Sequence, residues 1–281
     1  MASPRLLQNK VAAITGGLTG IGRAIALEYI RQGAFVAVSY HPGDAAALDD
    51  FIKEAQGVTE EHTSLLQKLA IALGEKDKKR FITVPSDVSK PEAGTQFIEQ
   101  TVNAFTGRLD IFVSNAGVCE FREFLEIDHA LLMHTFGVNL IGAFHAIQAA
   151  AQQMAKNQTP PGGSIIGISS ISALVGGGRQ AHYTPTKAGV VSVIQSAAVA
   201  LGQYNIRCNA LLPGTIRTRL NDEDMGNKEK REYMTNRIPL GRLGQTKDLA
   251  GPAVFLASED LSSYVTGSQI LVDGGMFVNL Q

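Results

Sequence analysis

A tyrosine and a lysine four positions apart, Tyr183 and Lys187, follow shortly after a hydroxyl pair, Ser169-Ser170. Residues at that spacing share one face of a helix, so the phenol and the ammonium would meet. A phenol ordinarily ionises near pH ~10 and is a poor base in neutral water. An ammonium one turn away, together with any further positive charge bound beside the phenol, would favour the phenolate and lower that value. A serine hydroxyl at the end of the neighbouring strand would contact the same substrate oxygen. The set points to general acid/base catalysis on an alcohol or carbonyl oxygen, with Tyr183 as the acid/base. Taken alone, an amphipathic helix carrying one Tyr and one Lys explains the pair equally well.

A second constellation changes that balance. Thr15-Gly16-Gly17-Leu18-Thr19-Gly20-Ile21-Gly22 follows an apolar strand and opens an apolar helix. In that context Gly16 permits the tight turn, Gly20 lets backbone approach a pyrophosphate, and Gly22 allows close helix–sheet packing. The helix start at Ile21 offers unpaired N–H groups to phosphate. Gly16, Leu18, Thr19, Gly20 and Ile21 are thus candidate dinucleotide contacts. The positive ring of an oxidised nicotinamide would be that further charge beside Tyr183. In NAD sites an acidic residue ending the second strand holds the ribose 2′-hydroxyl. Here the strand ends Val38-Ser39-Tyr40-His41-Pro42, with no carboxylate before Asp44 and no Arg or Lys to hold a 2′-phosphate. Tyr40 and His41 are the candidates at that position, and NAD and NADP both stay open. Asp87 and Val88, past the third strand, are candidates for adenine. Ser89 and Glu92 have capping-box spacing, which gives the same segment a competing helix-entry role.

The elements that must position these groups alternate from end to end. Val11–Thr15, Phe35–Ser39, Phe81–Pro85, Ile111–Ser114, Ser164–Ser169, Arg207–Leu212 and Gln269–Val272 read as buried strands. Helical spacing fills Ile21–Gln32, Lys90–Phe105, about Asp128–Ala155, His182–Tyr204 and Lys247–Ser258. The pattern predicts an α/β fold: one Rossmann-like, doubly wound parallel sheet of about seven strands, with helices on both faces and residues 1–281 as one domain. Two stretches depart from the rhythm. Gly57–Lys79, with Leu66, Leu69 and Leu73 at helical spacing, reads as a helical insertion. Residues 217–237 carry eleven charged side chains in twenty-one and read as a substrate lid.

The formal net charge of −1 calls for no nucleic-acid or anionic-membrane partner. Cys119 and Cys208 make no disulfide framework and have no metal-ligand spacing, so no metal is expected. The first ten residues lack the apolar core of a signal peptide, and no uninterrupted apolar run approaches the ~18 residues of a membrane span. The cytoplasm is the expected compartment.

Together these motifs resemble the short-chain dehydrogenases/reductases over about residues 8 to 275. Four coincide in order: Thr15–Gly22, Ser114-Asn115-Ala116-Gly117, the Ser170/Tyr183/Lys187 set, and Pro213-Gly214. The resemblance implies hydride transfer with NAD or NADP and a tetrad whose fourth member is Asn139, in Gly137-Val138-Asn139-Leu140. That asparagine would hold a helix distortion and a water linking Lys187 to solvent. Asn115, Ala116 and Gly117 would floor the cofactor ribose, and Pro213, Gly214, Thr215, Ile216 and Thr218 would lie along the nicotinamide. A homotetramer is the family expectation.

The stretches Ser114–Phe124, Ile168–Gly177, His182–Lys187 and Val272–Gln281 look like those of fungal L-rhamnose 1-dehydrogenases, with a break at 57–79. That likeness implies oxidation of a pyranose anomeric carbon to the lactone. Cys119, Arg122, Ser172 and Gln180, beside Ser170 and Tyr183, are the candidates to meet sugar hydroxyls. Each has a plainer alternative: Ser172 caps a strand end, Cys119 packs as a small hydrophobe, Arg122 pairs at the surface. Two other readings stay in view. One is a carbonyl reductase for a ketone or acyl substrate, which an apolar lid would favour. The other is a sensor of the cofactor ratio, which the presence of both Tyr183 and Lys187 disfavours.

Overall fold

The computed structural model describes residues 5–62, 79–219 and 226–279. Its strands are β1 (Val11–Ile14), β2 (Phe35–Tyr40), β3 (Phe81–Pro85), β4 (Ile111–Ser114), β5 (Gly163–Ile168), β6 (Ile206–Pro213) and β7 (Gln269–Val272). They form one seven-stranded sheet in the order β3-β2-β1-β4-β5-β6-β7, every pair parallel. Each strand expected from the sequence is present, within one residue at either end. β1, β2, β4 and β6 are buried along their whole length, as strands covered on both faces must be. The chain runs outward from β1 to β3, then returns to the other side of β1 as β4. The crevice at the carboxyl ends of β1 and β4 is the switch point where such sheets bind ligands.

Alternation along β1 sorts the core into two layers. Ala12 and Ile14 pack with α1 (Gly20–Arg31) and α2 (Leu48–His62) through Ile25, Tyr29 and Phe51. Val11 and Ala13 face the other way, toward Phe97 of α3 (Ala93–Ala104) and Ile147 and Met154 further on. α2 runs unbroken through Gly57 to His62, so the first part of the suspected insertion is the end of the second helix. Leu66, Leu69 and Leu73 lie outside the described residues.

The single helix expected over 128–155 is three pieces: α4 (His129–Phe136), a π turn (Gly137–Gly142) and α5 (Ala143–Lys156). Apolar periodicity does not register one wide turn inside a helix. Gly142 is needed there, since a Cβ on it would sit 2.4 Å from the Val88 carbonyl oxygen. By length and composition alone, His129–Lys156 suffices to cross a bilayer, which a search for uninterrupted apolar runs overlooks. Part of it is buried against the sheet and α3, while Met133, Ile141 and Phe144 are exposed.

The remaining helices are α6 (Thr184–Leu201), α7 (Lys228–Asn236), α8 (Ala250–Ala257) and α9 (Glu259–Ser262). α7 occupies much of the expected lid; Asn227 caps it by accepting from the Lys230 N–H at 3.0 Å, and none of its residues is buried. The Ser89/Glu92 capping box does not form. Asp87 instead accepts from the Ser89 N–H and hydroxyl at 3.0 and 2.7 Å, and Glu92 makes no capping bond at the start of α3.

Candidate active site

The glycine turn between β1 and α1 is built for close approach. Gly16 and Gly20 have φ of +64° and +57°, a region side chains resist. A Cβ on Gly22 would lie 2.4 Å from the Gly16 carbonyl oxygen and 2.5 Å from Asn115 Nδ2. Asn115 fastens the turn to the end of β4, donating from Nδ2 to the Thr15 and Gly16 carbonyls at 2.9 and 3.0 Å. Thr15 Oγ1 accepts from the N–H groups of both Asn115 and Ala116, at 2.9 and 3.0 Å. Thr19, extended at the N-cap, makes no capping bond of its own, so the first turn of α1 keeps donors for a ligand. A Cβ placed on Gly20 would meet only Thr218 Cγ2, at 3.7 Å. The cradle therefore opens between the glycine turn and the loop after β6, which fits a dinucleotide diphosphate.

At the other end of the crevice, β5 delivers Ser169 and Ser170, and α6 begins at Tyr183, its N-cap. Ser169 Oγ donates to the Lys187 carbonyl at 2.8 Å. Ser170 Oγ accepts from the Ser172 N–H at 3.1 Å and is hydrogen-bonded to the Tyr183 phenol. Lys187, 5% exposed, donates from Nζ to the Ile168 carbonyl at 3.1 Å and stands 5.6 Å from the Tyr183 ring centroid. Burial draws its ammonium down from 10.5 to about 8, with Cys119 pulling weakly the other way.

Tyr183 departs from expectation. Burial pushes its phenol above the ordinary value, Cys119 adds to that, and only the Ser170 bond opposes it. In the chain by itself the nearby ammonium, held on Ile168, does not offset the desolvation. Asn139 is fully buried inside the π turn. Its Oδ1 accepts from the Val118 N–H at 2.7 Å, and its Nδ2 donates to the Val118 carbonyl at 2.8 Å and to Thr186 Oγ1 at 3.3 Å.

The family model described as enoyl-(acyl carrier protein) reductase matches residues 16–277. A Scheffersomyces stipitis protein named L-rhamnose-1-dehydrogenase is 57% identical, the alignment covering 98% of this chain and 99% of that one. A Sphingomonas protein named L-rhamnose 1-dehydrogenase (NAD(P)(+)) is 50% identical over 99% of this chain and 100% of its own. Among solved structures, a short-chain type dehydrogenase/reductase from Mycobacterium marinum superposes with a TM-score of 0.82 at 33% identity, covering 97% of each chain. The chain belongs to the short-chain dehydrogenases/reductases.

In this dehydrogenase/reductase the expected residues fall into three groups. Around the crevice stand Gly16, Thr19, Gly20, Ile21, Asn115, Ala116, Gly117, Ser170, Tyr183, Lys187 and Thr218, with Asn139 buried behind the loop after β4. A Cβ on Gly117 would come 3.2 Å from Asn139 Oδ1 and 3.4 Å from Lys187 Nζ, which makes the loop after β4 a wall of the reactive end. Cys119 and Gln180 arrive together, Gln180 Nε2 donating to Cys119 Sγ at 3.3 Å. Ser172 sits in a short turn after Ser170, which caps it.

A second group supports from behind. Leu18 and Tyr40 belong to the core on the α1 side, and Ile216 is buried and bridged to Gly244. Val88 meets Gly142 through backbone. Pro213 ends β6, Gly214 rests on Asp273, and Thr215 donates to Met276 Sδ at 3.7 Å. His41 remains as the exposed side chain at the end of β2, its Nδ1 accepting from the Gly43 N–H at 3.0 Å. Asp87 follows β3, the strand paired with β2 through Tyr40 and Pro85, so the two positions lie at the same end of neighbouring strands.

Arg122 is the exception: its guanidinium pairs with Glu120 at the surface, which favours the plainer alternative. The sequence reading missed Thr15, Val118, Ser169 and Thr186, which hold the reacting groups through backbone. For the three hydroxyl residues a position in or beside a motif is the only trace in the sequence, and Val118, acting through its backbone, leaves none.

Proposed function

We propose that this enzyme oxidises the anomeric carbon of L-rhamnose to the lactone, with NAD or NADP as hydride acceptor. The observation that carries the substrate is the likeness, across 98% of the chain, to the L-rhamnose-1-dehydrogenase of S. stipitis. The geometry supports it independently. Beside Tyr183 the wall is polar and compact, made of Ser170, Ser172, Cys119 and Gln180, groups suited to sugar hydroxyls.

The nicotinamide, when bound, takes the C1 hydride and in its oxidised form brings positive charge beside the phenol. Gly16, Thr19, Gly20 and Ile21 would hold a diphosphate by backbone, with Thr218 across the turn from Gly20, and His41 and Asp87 would lie toward the adenosine. Tyr183 takes the proton from the anomeric hydroxyl as C1 becomes a carbonyl. Ser170, its lone pair already given to the Ser172 N–H, donates its own proton toward the same oxygen. Lys187, with its ammonium near 8, holds the phenolate by charge and exchanges its proton near neutral pH. Asn139 acts through structure: its amide is committed to Val118 and Thr186, fixing the π turn against the cofactor floor.

A reductase for a ketone or acyl substrate is the second reading, favoured by the exposed Phe124 and Leu125 beyond the loop after β4. The charged surface of α7 speaks against it. We further propose a cytoplasmic homotetramer. Both cysteines are thiols, as a reducing compartment keeps them. Large apolar side chains are exposed both around the π turn (Met133, Ile141, Phe144) and in the C-terminal part of the chain (Leu261, Tyr264, Val278). Two distinct self-complementary contacts are what a D2 tetramer uses.

Initial rates with L-rhamnose, L-lyxose and a panel of aldoses, each with NAD and NADP, test the activity. Turnover confined to L-rhamnose and its stereochemical relatives is expected. Silence on every sugar with cofactor still bound would discard the substrate and keep the family.

A further inference from the structure

We propose that Thr186 is a positioning residue for the reaction, the link that sets Tyr183 in register with Asn139. This rests on the dehydrogenase reading but not on the identity of the sugar. Thr186 precedes Lys187 and is fully buried, so it touches neither solvent nor substrate space. Its hydroxyl donates to the Tyr183 carbonyl at 2.6 Å. That carbonyl also accepts from the N–H groups of Thr186 and Lys187, at 3.0 and 3.2 Å. Three donors on one oxygen fix the backbone of Tyr183 at the mouth of α6, where a helix would otherwise fray.

The same hydroxyl accepts from Asn139 Nδ2 at 3.3 Å. Asn139 in turn grips both polar backbone groups of Val118, one residue past the Gly117 that walls Lys187 Nζ. One side-chain oxygen therefore joins three separate segments: the catalytic helix, the π turn and the loop after β4. A threonine supplies what the link needs, one donor and one acceptor on a stiff β-branched stem. Valine matches its shape and offers neither.

Removing the link shifts the Tyr183 phenol relative to Ser170 and Lys187 without removing any reacting group. A displacement of about 1 Å in such a constellation costs on the order of 100-fold in rate. Thr186→Val is therefore expected to lower kcat roughly 10- to 100-fold, with the sugar KM and the cofactor Kd within about twofold of wild type. Thr186→Ser, which restores the hydroxyl, is expected to return kcat to within about threefold. If the valine variant does not fold, Thr186→Ala carries the same expectation, since it leaves room for water against the freed amide.

A folded valine or alanine variant with kcat within twofold of wild type would overturn the proposal. So would a serine variant as slow as the valine one, or a loss confined to cofactor affinity. Wild-type silence on L-rhamnose would strike the substrate instead, because the variant ratios are read on whichever alcohol the wild-type enzyme oxidises.

Discussion

Asn139 and Val118 exchange two hydrogen bonds, the amide oxygen accepting at 2.7 Å and the amide nitrogen donating at 2.8 Å. A side chain thus meets a backbone unit as a neighbouring strand would, with Asn139 fully buried and Val118 half-buried. Asn139→Ala leaves both Val118 groups without partners, a loss of about 1–3 kcal/mol for a buried polar group. Asn139→Asp keeps the acceptor but sets a carboxylate oxygen against the Val118 carbonyl. Urea denaturation should show both variants less stable than wild type, with turnover reduced in each. An alanine variant of unchanged stability would mean that water substitutes for the amide.

Lys187 should give the stability curve a recognisable slope. Burial lowers its ammonium from 10.5 to about 8, so the folded chain sheds that proton earlier than the unfolded one. Between those pH values the unfolded state binds more protons, and stability rises with pH from this group. Below pH 8 the cost of the buried charge is borne in full. Relative to Lys187→Met, the wild type should gain about 3 kcal/mol between pH 7 and pH 11, the equivalent of the shift. Chemical denaturation of both proteins across that range reads the difference. Parallel curves would place the ammonium in a wetter setting than the structure shows.

The two glycines Gly22 and Gly57 should answer oppositely to alanine. At Gly22 the new methyl meets backbone at 2.4 Å, so the turn must open and cofactor affinity should fall roughly tenfold or more. At Gly57, within α2, nothing lies within 4 Å, and alanine should stabilise by about 0.5–1 kcal/mol with binding unchanged. Titration of the reduced cofactor by fluorescence, with melting curves alongside, separates the two effects.

His41→Asp should move cofactor choice toward NAD. An aspartate can replace the imidazole as acceptor for the Gly43 N–H while setting negative charge where a 2′-phosphate would lie. Tyr40, in the core, is the wrong place for that carboxylate. The ratio of kcat/KM for NAD to that for NADP is expected to rise at least about tenfold. An unchanged ratio would show that the ribose is held elsewhere.

Much of this molecule is legible in its sequence because parallel strands buried on both faces are uninterrupted apolar runs. Val11–Ile14 and Ile111–Ser114 announce themselves that way, and glycines at left-handed positions announce the turn between strand and helix. The π turn at Gly137–Gly142 is silent because its cause, Asn139 bonding to Val118, joins residues 21 apart in sequence. What the sequence leaves out at the Tyr183 phenol is its burial. Spacing reveals that an ammonium is near but not how dry the site is, and here desolvation outweighs the charge. For Arg122 the sequence left a sugar contact and a surface ion pair both open, and the structure shows the pair, with Glu120.

Gly214, on the loop after β6, has no room for a side chain because Asp273 lies against it; a Cβ there would come within 2.6 Å. Asp273 follows β7 directly and folds the next residues onto itself, accepting from the Gly275 and Phe277 N–H groups at 3.0 and 2.7 Å. The wall expected beneath the nicotinamide is thus backed by the turn that follows β7. A substitution that moves β7 or the turn after it is therefore expected to disturb the loop after β6, where cofactor contacts are proposed, without altering any residue of that loop.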